Sequence, residues 1–349
     1  MPPPPAPVAD PGPVAVTPMA YARVIATAFR RRGLDPAPAL KQAQITPSHL
    51  LKPDGRISAG QMERLSGAAM QALDDEALGA FGRRLPWGSY GMLARASLTS
   101  PNLGVALQRW CRHHGLLADD LRLSLTTQGD SATLVVEESF AHAALPDDAR
   151  EFSLVHILRN IHGLACWYID SRIPLQGVRL PFAAPAHADA FDHMFPGAIE
   201  FDAPRASLRF DARYLPLPLV RDEAALRQML QRALPLTVLQ YRRDRLLVRQ
   251  VRQALATRPE ATHGAEGVAA LLNMSTRSLH RQLREEGASL QQLKDQVRSE
   301  RARELLLRTQ RPVKQVAAAV GFRNEKSFIR AFRGWTGRSP GEFRARAGD

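Results

Sequence analysis

The chain has 349 residues, 45% of them hydrophobic, with a formal net charge of +13; this is too long for one ordinary domain and suits two with real cores. Two cysteines, Cys111 and Cys166, exclude a disulfide framework, and no apolar run reaches the roughly 18 residues of a membrane-spanning helix. The first 16 residues lack the basic start and apolar stretch of a secretory signal, so a cytoplasmic protein is expected.

Residues 1–17 read as a disordered, proline-rich lead-in. From 18 to 215 the pattern is that of an α+β domain, an antiparallel sheet with helices. A helix is expected through YARVIATAFRRRGL, with others at 59–82 and 103–115. LRLSLTT, 121–127, alternates at strand period; Gln128-Gly129-Asp130 is a turn, and SATLVVEESF completes a hairpin. Residues 151–169 suit a core helix, and GVRLPF and ASLRFD two further strands around a short helix in HADAFDHMF. RDEAALRQMLQRALPL, 221–236, opens a helical linker over 216–258, and 259–346 reads as an all-α domain.

Charge divides the chain along the same line. Residues 241–349 hold 23 Lys and Arg against 11 Asp and Glu, while residues 1–240 hold 24 against 23. A cationic surplus confined to one end is the footprint of a polyanion partner, although a basic face kept for solubility would look similar. The basic third also contains a repeat: residues 268–290 match 316–340 at an offset of 48 to 50. Val268-Ala269-Ala270 pairs with Val316-Ala317-Ala318, and Leu279, Arg281, Leu283 and Arg284 pair with Phe328, Arg330, Phe332 and Arg333. Each copy reads as a short helix, a tight turn, an N-cap (Ser275 or Asn324) and a second helix closed by glycine. Phe328, Phe332 and Trp335 share one helical face, so these aromatics form a small core and leave the cations outside. LQQLKDQVRSERARELLLRTQ is a helical spacer of about 30 Å. Two helix-turn-helix units on such a spacer suit successive major grooves, about 34 Å apart on one face of duplex DNA.

Ala317, Gly321-Phe322, Phe328, Arg330-Ala331-Phe332, Trp335-Thr336-Gly337, Ser339-Pro340 and Phe343-Arg344 closely resemble the DNA-binding domain of AraC/XylS transcription regulators. FGRRLPWGSYGMLARASLTSPNLGVALQRW and FPGAIEFDAPRASLRFD resemble the N-terminal domain of an AraC subgroup labelled arabinose-binding. The resemblance implies base-reading positions at Arg277, His280 and Arg281, flanked by Ser275, Thr276 and Arg284. In the second copy the positions are Asn324, Glu325, Lys326, Ile329, Arg330 and Arg333. Arg pairs bidentately with guanine, while a phosphate contact is the plainer alternative for each cation. Three features set the second copy apart: Ile329 stands where the family has a small hydroxyl residue, Glu325 brings negative charge, and Gly334 lies within a helix. Readout is therefore expected mainly from the first copy, with the second clamping phosphates.

A metal or haem site is the competing chemistry, suggested by Trp110-Cys111-Arg112-His113-His114 and by His156, His162 and Cys166. No Cys-x-x-Cys or four-ligand set accompanies them, and buried Cys and His on apolar helices are ordinary core residues. An alkyl-transfer repair enzyme would need a cysteine cluster that two distant cysteines cannot supply. The expectation is a non-enzymatic transcription regulator with no cofactor, with activation the commoner family habit. Its partners are double-stranded DNA, a small-molecule effector and RNA polymerase, and a homodimer is expected. Two alternatives stay open: regulation by protein contacts alone, and a nonspecific nucleoid-type binder.

Overall fold

The computed structural model describes residues 15–195, 197–231, 245–262 and 264–345. They fall into two units, divided between Asp244 and Arg245.

In the first unit β1 (Ala15–Pro18) pairs antiparallel with β2 (Arg56–Ser58) and leads into α1 (Met19–Arg31). Ala15, Val16 and Thr17 are thus structured rather than part of a disordered lead-in, because backbone pairing supplies an order that composition does not announce. Residues 1–14 of that lead-in lie outside the described residues. After α2 (Ala37–Gln42) and α3 (Pro47–Leu50), α4 (Ala59–Leu73) opens with a reciprocal capping box between Ser58 and Gln61. The helix expected over 59–82 stops at Leu73, where Asp74 turns left-handed at φ 46°. The fully buried Asp75 carboxylate then gathers the amides of Ala77, Gly79 and Leu85 and the Arg32 guanidinium at 2.7–3.1 Å. That turn takes the place of the last two helical turns.

α5 (Ser89–Leu98) has no counterpart among the expected elements, and α6 (Leu103–Leu117) is capped by Asn102, which accepts from the Val105 amide at 3.0 Å. The hairpin of β3 (Leu121–Gln128) and β4 (Ser131–Glu138) closes as expected, with Gln128 opposite Ser131 and Gly129 at φ 56°. Then come α7 (Phe140–Ala143), α8 (Asp147–Ile169), β5 (Leu175–Arg179), α9 (Asp189–Met194), β6 (Ile199–Glu200) and β7 (Ala206–Asp211). The sheet order is β3-β4-β7-β5-β6, antiparallel throughout except that β6 joins β5 parallel. α6 packs on β3 and α8 on β7, burying Leu121, Leu123, Leu134, Val136, Leu208 and Phe210.

The stretch 216–258, expected as a helical linker, divides between the two units. Leu103 and Gly104 donate to the carbonyls of Leu217 and Leu215. α10 (Glu223–Gln231) packs on α5, burying Leu226 and Met229, with an Arg95–Glu223 ion pair at 2.8 Å. α11 (Leu246–Thr257) instead buries Leu247, Val248, Val251 and Leu255 in the core of the second unit. Residues 232–244, including the end of the helix expected at 221–236, lie outside the described residues.

The second unit continues with α12 (Ala265–Leu271), α13 (Thr276–Glu285), α14 (Leu290–Arg308), α15 (Val313–Ala319), α16 (Glu325–Thr336) and α17 (Pro340–Ala345). It has two cores. Leu279 and Leu283 join α11, α12, Leu290 and Leu293 in the first; Phe328 and Phe332 join α15, Ala302, Leu305 and Leu306 in the second. The spacer α14 supplies residues to both, so one helix fixes the two halves to each other.

Candidate nucleic-acid interface

Each repeat builds its exposed helix the same way. In the first, α12 ends in a turn in which Asn273 is left-handed at φ 52°. Ser275 Oγ then accepts from the Ser278 amide at 3.1 Å and starts α13. Leu279 and Leu283 have no exposed surface, which fixes the helix rotation. At 100° per residue Arg281 projects directly away from them, Arg277 and Arg284 lie beside it, and His280 is at the flank. All four are exposed, whereas Thr276 is half-buried. Glu285 approaches Arg281 at 3.9 Å, a solvated pair worth little.

In the second repeat Gly321, at φ 82°, makes the turn between α15 and α16. Asn324 Oδ1 accepts from the Ser327 amide at 2.8 Å, and Gly337, at φ 74°, ends the helix. Phe328 and Phe332 are fully buried. Phe322 meets Phe328 and Trp335 edge-on at 5.6 and 5.8 Å, and Phe332 meets Phe343 at 5.4 Å. The aromatic share of this basic stretch is thus spent on a core of a few side chains. Lys326, Arg330 and Arg333 are exposed on the opposite face; Ile329 is half-buried against the core, and Glu325 is half-buried in the first turn. The two heads therefore place cations at equivalent positions: Arg277, Arg281 and Arg284 on one helix, Lys326, Arg330 and Arg333 on the other.

Other cations serve the scaffold, and no local pattern distinguishes them from the exposed set. Arg298 of the spacer lies over the Phe322 ring at 5.3 Å. Arg344 donates to the carbonyls of Leu306 and Arg311, closing the end of α14. Arg252 of α11 holds Gln296 and Glu300 at 2.8 and 2.6 Å. Glu286, just past α13, accepts from the Leu247 and Val248 amides at 3.0 and 2.8 Å and so caps α11. A capping box follows each repeat: Ser289 with Gln292, and Ser339 with Glu342.

This double helix-turn-helix has its counterpart in a family comparison. Residues 268–346 match the model described as a helix-turn-helix domain, and residues 33–219 match the arabinose-binding domain of AraC transcription regulators, N-terminal. The second match spans more than half of the chain. The chain belongs to the AraC family of transcription regulators. It is 31% identical over 332 residues to the ornithine utilization regulator of Pseudomonas aeruginosa, covering 94% of this chain and 96% of that one. It is 42% identical over 73 residues to the regulator VqsM of the same organism, covering 21% of this chain and 22% of that one. A helix-turn-helix regulator of Mycobacterium tuberculosis is 25% identical over 346 residues, covering 96% of this chain and 98% of its own. This AraC-family chain is thus a DNA-binding transcription regulator with an arabinose-binding-type first domain.

Among the described residues no three His, Cys, Asp or Glu side chains form a group that could hold a metal. Burial pushes the Cys111 thiol up to about 12 and brings His114, His156 and His162 down to about 4. His162 Nε2 lies 2.8 Å from the Ile173 carbonyl, and Cys166 Sγ accepts from the Ile173 amide at 3.4 Å. No described helix is long and apolar enough to cross a membrane.

Proposed function

We propose that the regulator binds double-stranded DNA with both heads, reading bases with Arg277, His280, Arg281 and Arg330 and holding phosphates with Arg284, Lys326 and Arg333. The observation that carries this reading is the repeated geometry: on α13 and on α16 the face opposite the buried core residues is cationic and exposed at matching positions. Each such helix is shaped to enter a major groove, and α14, 19 residues or about 28 Å long, sets their separation. Selecting binding sites from a random duplex library with the full-length protein tests it. A defined site should emerge, and Arg277→Ala should relax preference at one position by about 1–3 kcal/mol. Equal losses on selected and random duplexes would exclude base reading by Arg277; no selected site at all would favour a nonspecific binder. No catalytic step is part of this reading.

A second reading concerns the first unit, which we propose senses a small molecule. The support is a buried polar seam between α1, α8 and the segment before α9. Glu151, 5% exposed, has its Oε1 2.7 Å from His187 Nε2, and Tyr21, 3% exposed, meets both Phe152 and His187 edge-on. Burial, and then the Glu151 carboxylate, push the Tyr21 phenol well above its ordinary range; burial draws the Arg159 guanidinium down to about 10. Both charge signs inside one domain suit a zwitterion, and the relative's name makes ornithine the first compound to try. Thermal melts against amino acids test it: a ligand at 100 times its Kd adds about 2.7 kcal/mol. No shift across the panel would favour control by protein contacts. Homodimerisation and activation through RNA polymerase belong to the same reading and are tested by sedimentation and by transcription in vitro.

A further inference from the structure

Among the described residues, nothing inside the protein requires a glycine at position 334. Gly334 lies within α16, where glycine is disfavoured relative to alanine. Its φ is not positive, and a Cβ built on it meets no atom within 4 Å. Neither a turn nor a close internal approach therefore requires the missing side chain. Gly67 of α4 and Gly115 of α6 are equally unconstrained from within; what sets Gly334 apart is its surroundings. It lies in a shallow, open hollow on the helix surface with Lys326, Ile329, Arg330 and Arg333. Lys326, Arg330 and Gly334 follow one another at intervals of four along one row of the helix, with Ile329 and Arg333 on the adjoining row. The hollow thus has a cationic border, one apolar residue, and a gap where a side chain would project from the reading face.

We propose that Gly334 is a DNA-contact position: the notch it leaves admits the sugar-phosphate backbone of one strand against the helix. Arg333 and Lys326 neutralise phosphates of that strand, and the deoxyribose lies over the backbone of Gly334. Charge complementarity selects this occupant, and a glycine is what a helix needs where another chain approaches its backbone closely. Any side chain at 334 would hold the duplex wall away and lift Lys326 and Arg330 out of reach. The inference rests on the proposed reading of both heads, and it adds a contact made by the absence of a side chain.

The test uses the full-length protein and the duplex that the wild type selects from a random library. Gly334→Ala and Gly334→Gln both remove a helix-disfavouring residue without an internal clash, so the melting temperature of the second unit should rise, by about 4–8 °C for Ala and roughly half that for Gln. Affinity should move the other way, falling about threefold for Ala and tenfold or more for Gln, with protection lost only over the half of the site bound by the second head. Arg277→Ala on the same duplex is the control for the first head. A Gly334→Gln protein that is thermally stabilised but binds with wild-type affinity and full protection overturns the proposal alone. If the wild type selects no duplex, or if Arg277→Ala and Arg330→Ala both bind like wild type, the reading of the two heads falls and the contact at Gly334 with it.

Discussion

Leu279 and Arg281 stand two positions apart on α13 and meet opposite fates, one without exposed surface and the other open to solvent. The same division recurs between Phe332 and Arg330 on α16. Phe332→Ala should therefore remove about 3–5 kcal/mol of stability, read as an early melting transition of the second unit, because the second core has few residues to close over the cavity. Arg330→Ala should leave the melt unchanged and cost DNA affinity instead. The buried histidines predict a pH effect on the first unit. His114, His156 and His162 titrate near 4 when folded, mainly through burial, against about 6.5 when unfolded. Between those values the unfolded chain binds the extra protons, so stability is full above pH 6.5 and is lost as pH falls toward 4. The first unit's melting temperature should drop steadily through that window; a flat profile from 6.5 to 4 would show these imidazoles to be solvated.

At the scale of elements, α11 is held by a residue that follows the first reading helix. Glu286 caps its first-turn amides and Arg252 ties it to α14. Glu286→Gln removes the negative charge and keeps one of the two acceptor oxygens at the helix N-terminus; Glu286→Ala removes both oxygens as well and should cost roughly 1–2 kcal/mol. Amide exchange over residues 246–251 should quicken in the alanine variant, and unchanged protection there would show the cap to be incidental. This scale also shows what the sequence made legible. The hairpin of β3 and β4 was readable because alternation and a glycine turn are local signals, and the twin heads because capping residues and core spacings repeat. The end of α4 was not: Leu78 and Phe81 continue an apolar pattern, while the turn depends on the Asp75 carboxylate meeting the amides of Ala77, Gly79 and Leu85 and the remote Arg32. The packing of α11 was hidden for a related reason, since Val248, Val251 and Leu255 announce an amphipathic helix without saying which core receives it. Residue roles within the candidate interface divide likewise. The repeat pointed to Arg281, Arg284, Arg330 and Arg333, and the family resemblance to Arg277, but nothing in the sequence marked Arg298, Arg252 or Arg344 as internal.

For the whole molecule, the basic surplus of residues 241–349 should govern association. Log affinity should fall linearly with log salt, by about 0.9 for each phosphate neutralised, and Arg284→Ala should lower that slope by about one. A slope unchanged by the substitution would place Arg284 away from the backbone. The central claim is geometric: two heads fixed on one spacer engage adjacent turns of the same duplex face. A hydroxyl-radical footprint of the full-length protein on its selected duplex tests this most directly. Each bound chain should protect two patches on one face, about 10 base pairs apart, with Arg330→Ala weakening only the patch of the second head. A single protected patch per chain would contradict the account.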